Sequence, residues 1–174
     1  MVSDSFILAV LVNNRAGVLT RVSSLFGRRG FNIDSLSVGE TQNSEISRIT
    51  ICTSGDDRLR EQIIRQLEKL HDVLVVEVMD PERTVCRELL LVKLAVEPEK
   101  LSQVQEAVKI FRAKIVDLSP NFVTAEITGE KSKLDAFIAC LEPYGVKELC
   151  RTGLTAIGRG EYMLHQQRED EQNG

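Results

Sequence analysis

Apolar residues recur along this chain with two different periods, which together predict an ordered series of strands and helices. The first half opens with an apolar strand, Phe6–Val12, followed by apolar residues at helical spacing: Val18, Leu19, Val22, Leu25 and Phe26. A hairpin turning at residues 41–44 comes next, then a second amphipathic helix from Leu59 to Leu70 and a strand over Val73–Met79. This β-α-β-β-α-β order predicts a ferredoxin-like unit, an antiparallel sheet with both helices on one face.

The same order begins again after a short polar break at Asp80-Pro81-Glu82-Arg83. The pattern predicts a strand over Val85–Val96, a helix opened by Pro98, a hairpin, a last helix and a closing strand from Val146. The predicted fold class is therefore α+β, with two consecutive ferredoxin-like βαββαβ sandwiches. The predicted division is a first domain at 1–80, a linker at 81–84, a second domain at 85–160 and a frayed polar tail at 161–174.

Composition narrows the possible functions. The chain has 174 residues, 43% of them hydrophobic, and its longest apolar runs are only strand-sized, so we expect a cytoplasmic protein with no membrane segment. Net charge is −4 and basic residues are interspersed with acidic ones, which offers nucleic acid no positive stripe. The four cysteines form no C-x-x-C pair and are more simply reduced, buried residues than metal ligands, so no metal site is predicted.

Catalytic motifs are missing from the sequence. It contains no G-x-S-x-G, H-E-x-x-H or G-x-x-x-x-G-K-[ST] pattern, and neither histidine lies in a constellation with a nucleophile. His71 follows a predicted helix, where an imidazole is favoured by the helix dipole. We therefore predict no catalytic residue.

The segment that joins the first strand to the first helix, residues 13–19, suits a small anion. A helix N-terminus has N–H groups without intrahelical partners and carries the positive end of the helix dipole, so a small carboxylate can bind there. Gly17 lets a ligand approach the backbone closely, and Asn14 supplies both a donor and an acceptor. The alternative interpretation is an ordinary turn in which Asn14 caps the helix. Judged from these residues alone, a helix-capping asparagine is more common than a ligand-binding one.

The first domain is also predicted to pair with a second copy of itself. Each half is small, and the strand containing Asn32–Gly39 is expected at a sheet edge without a proline or a central lysine to discourage pairing. We predict a homodimer in which two such strands form one continuous sheet across a two-fold axis. Asn32 would then lie near the Asn14–Gly17 turn of the partner, although it can equally be a turn residue after Gly30.

Several motifs together resemble one family. These motifs are Asn14-x-x-Gly17-x-Leu19, Arg29-Gly30-Phe31-Asn32-Ile33-Asp34-Ser35-Leu36, Ser47-Arg48-Ile49-Thr50, Arg87-Glu88-Leu89, Leu134-Asp135-Ala136-Phe137 and residues 151–160. They resemble the regulatory, or small, subunit of acetolactate synthase, also called acetohydroxyacid synthase. The resemblance covers residues 5–160, with both domains in the right order.

The resemblance implies that residues 5–79 form an ACT domain, a ferredoxin-like module that binds amino acids. It further implies a chain without catalysis or a cofactor of its own, whose partner is the catalytic subunit, which uses thiamine diphosphate, magnesium and FAD. The chain would activate that subunit and confer feedback inhibition by valine in branched-chain amino-acid biosynthesis. Carried over by position, the effector contacts fall on Asn14, Gly17, Val18, Leu19, Asn32 and Ile33.

Proteins of three other functions also use a β-α-β-β-α-β unit, and the sequence argues against two of them. An RNA-recognition module needs aromatic residues on its central strands, and Ser47–Thr53 has none. A phosphatase of acylphosphatase-like fold needs a glycine-rich arginine cradle after the first strand, which is also missing. An ACT-domain amino-acid sensor that regulates a different enzyme is the alternative left open, because an ACT domain indicates what is sensed more firmly than what is controlled.

Overall fold

The computed structural model describes residues 5–164, which divide into two compact units. The first unit contains the chain up to Val85 together with the chain from Leu154 onward, and the second contains Cys86–Gly153. The second unit is therefore inserted, in sequence, into the first.

The first unit has the predicted β-α-β-β-α-β order. Its elements are β1 (Ser5–Asn13), α1 (Val18–Arg29), β2 (Ser35–Glu40), β3 (Ile46–Ser54), α2 (Asp57–Leu67) and β4 (Val73–Val78). The strands form an antiparallel sheet in the order β2-β3-β1-β4, so β1 is central and β2 is an edge, as predicted.

Local sequence explains where the two helices begin and end. Helix α1 ends at Gly30, which has a φ of 68° and donates its N–H to Gly27 O, a conformation that glycine adopts without strain. Helix α2 begins after Asp56, whose carboxylate accepts the Leu59 N–H at 2.7 Å. The acidic pair at residues 56 and 57 therefore has the helix-start role that the sequence suggests.

Both helices of the first unit pack on one face of its sheet. Alternation along the strands turns every second residue toward the helices. The buried residues of this core are Phe6, Leu8, Val10, Val12, Val18, Val22, Leu25, Phe26, Ile49, Ile51, Ile63 and Leu67. They come from the positions whose periodicity predicted the elements.

The second unit repeats the same order. Its elements are β5 (Thr84–Ala95), a 3-10 turn at Pro98–Lys100, α3 (Leu101–Ile110), β6 (Lys114–Ser119), β7 (Phe122–Gly129), α4 (Lys131–Leu141) and β8 (Val146–Arg151). The strand order β6-β7-β5-β8 corresponds to that of the first unit, and a separate core lies between its sheet and its two helices. The predicted two-domain ferredoxin-like fold is confirmed.

The face of the first sheet opposite its helices is covered by residues Leu154–Leu164, called here the C-terminal segment, which contains β9 (Thr155–Gly158). The hydroxyl of Ser37 donates to Leu154 O at 2.9 Å, and the Leu154 N–H donates to Ser35 Oγ at 3.2 Å. Two residues further along the C-terminal segment, Ala156 O accepts a hydrogen bond from Arg48 Nη2 at 2.7 Å. Side chains that a two-layer sandwich would leave exposed are therefore buried here.

This arrangement differs from the sequence-based division, which ended the second domain at residue 160 and began a polar tail at residue 161. The compact units place the chain from Leu154 with the first unit, where it is hydrogen-bonded to strands that precede it by more than 100 residues, while its strand β9 pairs with β5. Tyr162 lies under the Arg83 guanidinium, 4.5 Å from ring centroid to Cζ, and Leu164 is buried. The rest of the predicted tail, residues 165–174, lies outside the described residues.

Gly158 is the last residue of β9, and the chain turns immediately after it, where Tyr162 N–H donates to Arg159 O. A Cβ atom at Gly158 would lie 2.3 Å from the backbone oxygen of Tyr162, so Gly158→Ala should lower the free energy of unfolding by about 1–3 kcal/mol. It should also open the segment to limited proteolysis. Urea unfolding and protease mapping would test both effects.

Gly27→Ala is the matched control for that substitution. Gly27 lies within α1, and a Cβ atom at this position would meet nothing within 4 Å, so alanine there should stabilise the chain by up to about 1 kcal/mol. Equal stability of the two variants, with an equally protected segment, would contradict the packing of the C-terminal segment described above.

Candidate functional site

The loop between β1 and α1 is held by backbone hydrogen bonds to both neighbouring strands. Asn13 N–H donates to Asp72 O at 2.9 Å, just before β4, and Asn14 N–H donates to Glu45 O at 2.7 Å, just before β3. The chain then turns through Gly17, which has a φ of 84°, into the helix. Only glycine adopts this conformation readily, so the residue is needed for the turn itself.

The start of α1 leaves backbone donors free. Gly17 is the N-cap residue and no side chain caps the helix. Val18 N–H donates to Arg15 O, whereas the N–H groups of Leu19 and Thr20 have no acceptor among the described residues. Two free donors at the positive end of a helix dipole form a surface suited to a small carboxylate.

The Asn14 side chain is not a helix cap. Its Nδ2 donates to Ser44 O at 2.8 Å and to Glu40 Oε1 at 3.2 Å, so it ties the loop to the β2–β3 hairpin. The interpretation of Asn14 as the N-cap is therefore wrong, because Gly17 occupies the cap position three residues later. The side-chain oxygen of Asn14 has no partner among the described residues and stays free to accept a hydrogen bond.

Arg21 and Asp72 also belong to this region, although no sequence motif marks them. Arg21 Nη2 contacts Asp72 Oδ2 at 2.5 Å, and Arg21 Nη1 lies 3.2 Å from where a Cβ would stand on Gly17. The hydrogen bond from Arg21 holds the pKa of the Asp72 carboxyl below its usual range. The two residues are 51 positions apart, so no local spacing signals the pair.

Asn32 and Ile33 lie in the segment that leads into β2. The Asn32 side chain is exposed and donates to Asp34 Oδ1 at 2.6 Å, while Asn32 O accepts a hydrogen bond from Thr53 Oγ1. Ile33 is partly buried against the core of the first unit. Both residues are fixed beside the end of the strand pairing between β2 and β3.

Within one chain, the two groups of predicted site residues lie at opposite ends of the sheet. Asn14 bonds to residue 45 at one end of β3, and Asn32 bonds to residue 53 at the other. Eight residues of extended strand separate these points by roughly 27 Å. Asn14, Gly17, Val18 and Leu19 therefore form one group and Asn32 and Ile33 form another, and a single ligand cannot touch both groups of the same chain.

The described residues hold no grouping of three or more His, Cys, Asp or Glu side chains that could bind a metal ion. Over the same part of the chain, no helix is long and apolar enough to cross a membrane. The four cysteines are all outside disulfides, and two of them, Cys140 and Cys150, are exposed rather than buried as predicted.

Comparison with known proteins places both units in one class. Residues 8–75 match the model of the acetohydroxyacid synthase small-subunit-like ACT domain, and residues 87–160 match the model of the acetolactate synthase small subunit. The fold and the family match of residues 8–75 thus define an ACT-domain protein.

Relatives over nearly the whole chain identify the family. A probable acetolactate synthase small subunit of Methanothermobacter thermautotrophicus is 48% identical over 161 residues, 92% of this chain and 96% of its own. The acetolactate synthase small subunit of Mycobacterium bovis is 46% identical over 88% of this chain and 91% of its own. The crystal structure of the acetolactate synthase small subunit from Thermotoga maritima superimposes with a TM-score of 0.86 at 41% identity, covering 91% of this chain and 99% of that one. The chain belongs to the acetolactate synthase small subunit family.

The Arg21–Asp72 pair leads to a prediction about pH. Because the pKa of Asp72 is lower in the folded state than in the unfolded state, the pair stabilises the fold above the unfolded pKa of about 3.9. That contribution is lost as the pH falls from about 4 through the folded pKa. Asp72→Asn should therefore lower stability at neutral pH and flatten its loss below about pH 4.

Thermal melts of both proteins over an acidic pH series would measure this difference. Glu68→Gln, which removes an exposed carboxylate that pairs with no described residue, is the control. Parallel stability curves for wild type and Asp72→Asn across the series would contradict a folded-state role for the pair.

Proposed function

We propose that this chain is the regulatory subunit that activates the catalytic subunit of acetolactate synthase and makes it sensitive to feedback inhibition by valine. Membership of the small-subunit family supports the regulatory role. The observation that carries the effector assignment is the uncapped start of α1, where the N–H groups of Leu19 and Thr20, next to the Gly17 turn, have no acceptor among the described residues.

The chemistry of the two groups of residues suits an α-amino acid with a small branched side chain. The N–H groups of Leu19 and Thr20 bind the carboxylate, and the free side-chain oxygen of Asn14 accepts a hydrogen bond from the ammonium group. Leu19, 43% exposed, and Ile33 supply apolar contact. A branched aliphatic side chain such as that of valine would remove this apolar surface from water.

The site is completed by a second copy of the chain. Because Asn14 and Asn32 lie at opposite ends of one sheet, only the ends of two different sheets can bring them together. Antiparallel pairing of two β2 edges across a two-fold axis does so, since it places the start of one β2 beside the end of the other. Asn14, Gly17, Val18 and Leu19 of one protomer then face Asn32 and Ile33 of its partner.

The chain itself performs no catalysis in this proposal and carries no cofactor. Thiamine diphosphate, magnesium and FAD belong to the catalytic subunit, which condenses the 2-oxo acid substrates, and the assembled enzyme works in the cytoplasm. The alternative, an amino-acid sensor for a different enzyme, would use the same effector site. Reconstitution with the catalytic subunit separates the two.

Reconstitution is expected to give activation and valine inhibition. The purified chain alone should produce no acetolactate from pyruvate with all three cofactors present, and it should raise the rate of the catalytic subunit. Asn14→Ala and Asn32→Ala should each weaken the apparent affinity for valine by roughly tenfold. Asn14→Ala removes the side-chain oxygen that accepts from the ammonium group, and Asn32→Ala removes the partner's side chain that faces this site. Inhibition curves, each normalised to the same variant without valine, measure this change.

Co-expression of the two variants tests whether the site is shared. In a mixed dimer one site carries both substitutions, whereas the other combines Asn14 of one protomer with Asn32 of its partner and is intact. High-affinity valine binding should therefore return in half of the sites of mixed dimers. Its failure to return in dimers verified as mixed would exclude a shared site, and acetolactate formation by the isolated chain would exclude the regulatory role.

A separate prediction concerns the edge strand. Thr41 N–H donates to Ile46 O and therefore points toward β3. Because N–H groups point alternately to the two sides of a strand, the N–H of Val38, an odd number of residues from Thr41, points away from β3. Val38→Pro should remove a donor from the pairing between protomers and shift the chain toward monomer. Val38→Ala, which keeps the N–H, is the control. A wild-type monomer at micromolar concentration in sedimentation velocity, or a Val38→Pro dimer as tight as wild type, would contradict pairing through β2.

A further inference from the structure

A cavity of about 240 Å³ lies on the sheet face of the first unit that the C-terminal segment covers. It is separate from the β1–α1 loop. Its lining residues are Leu11, Thr41, Gln42, Arg48, Ile157, Gly158, Gly160, Tyr162, Met163 and Leu164. A second cavity of about 200 Å³ lies against β2, and Arg48 lines both.

Arg48 is incompletely paired. Its Nη2 donates to Ala156 O at 2.7 Å, but its Nε is shielded from solvent and has no acceptor in the part of the chain that the structure describes. The other contact of the guanidinium is a distant one, 4.0 Å from Nη2 to the sulfur of Met79. No carboxylate of a described residue forms a salt bridge with it.

Burial of an arginine in this way is unfavourable unless a counter-charge is close. Burial lowers the pKa of the Arg48 guanidinium, and the Glu77 carboxylate opposes that effect from a greater distance than a salt bridge. A ligand anion in the cavity would supply the missing negative charge to the part of the guanidinium that lines the cavity, whereas the shielded Nε lies out of its reach.

The rest of the cavity wall is apolar or neutral. Leu11 comes from β1, and Ile157, Met163 and Leu164 come from the C-terminal segment. Among the described residues, the polar side chains that line this cavity besides Arg48 and the Tyr162 hydroxyl are those of Thr41 and Gln42, and none is a carboxylate. The described wall therefore has no carboxylate to balance a ligand ammonium, and the cavity volume is below that of a drug-sized pocket.

We infer that this cavity is a second ligand site, specific for a small carboxylate with a short aliphatic body and no ammonium group, in which Arg48 binds the carboxylate. The apolar wall binds the aliphatic body. The ligand differs in charge from an amino acid, and none of the residues that line the cavity is among the predicted effector contacts, so binding here does not depend on the effector site proposed above.

Titration of the full-length chain with 3-methylbutanoate, followed by calorimetry and by thermal melting, tests the inference. The acid should bind in the millimolar range or tighter and raise the melting temperature, because a ligand that binds only the folded state stabilises it. The neutral analogue 3-methylbutanamide should bind at least tenfold more weakly. Equal binding of acid and amide, or no binding of the acid at millimolar concentration, would overturn the inference.

Variants locate the site. Arg48→Met removes the charge at similar volume and should lower affinity for the acid at least tenfold, and replacement of an unpaired buried charge by an apolar group is often tolerated by the fold. Met163→Trp provides an independent test, because Met163 is 57% exposed at the cavity wall and the larger side chain would fill the cavity while Arg48 stays in place. It should also abolish binding.

Two controls complete the experiment. Arg65→Met removes an exposed arginine from α2 and should leave binding of the acid unchanged, as should Asn32→Ala, which alters a predicted effector contact at the other end of the sheet. Loss of binding in Arg65→Met would indicate a general charge effect, and loss in Asn32→Ala would place the acid in the effector site; either result overturns the inference. Retention of full affinity in both Arg48→Met and Met163→Trp would overturn it as well.

Discussion

Burial of β1 on both of its faces is the constraint on which the first unit depends. Leu8, Val10 and Val12 pack toward the helices, whereas Ala9 and Leu11 on the opposite face are 0% and 2% exposed. A sandwich of one sheet and two helices covers only one side. The second side needs another layer, and the C-terminal segment provides it. The position of that segment, the cavity over Arg48 and the anchoring of the β1–α1 loop all depend on this central strand.

The hydrophobic pattern predicted most of this fold because the periods of helices and strands are local. The alternation along β1, the helical spacing from Val18 to Phe26 and the turn at residues 41–44 each lie within a short stretch of chain, and the structure confirms them. The motifs place residues up to 160 in the predicted second domain, because residues 151–160 are among those that resemble the family. No pattern in the neighbouring sequence predicts that Leu154 bonds to Ser35 and Ser37.

The candidate site shows the same limit. Motif spacing located Asn14 and Gly17, because a strand, a turn and a helix start are adjacent in sequence. Of the two interpretations it left open for Asn14, the helix cap is wrong, because the Asn14 side chain bonds to Glu40 and Ser44 in a hairpin 26 to 30 residues away. Arg21 and Asp72 were missed for a similar reason, since the contact joins a helix to the start of β4. The cavity over Arg48 requires three separate parts of the chain, which a linear pattern does not bring together.

The insertion of the second unit has a consequence for synthesis of the chain. The ribosome completes the first 85 residues long before it makes Leu154, so the nascent first unit has its helices and strands but lacks one of its layers. About 70 further residues must be translated first, which takes roughly 4–14 s at typical elongation rates of ~5–20 residues per second. During that interval Ala9, Leu11 and Arg48 lie open to water, next to an unpaired β2 edge. Protection of this face before residue 164 emerges is therefore a condition for the nascent chain to stay free of aggregation.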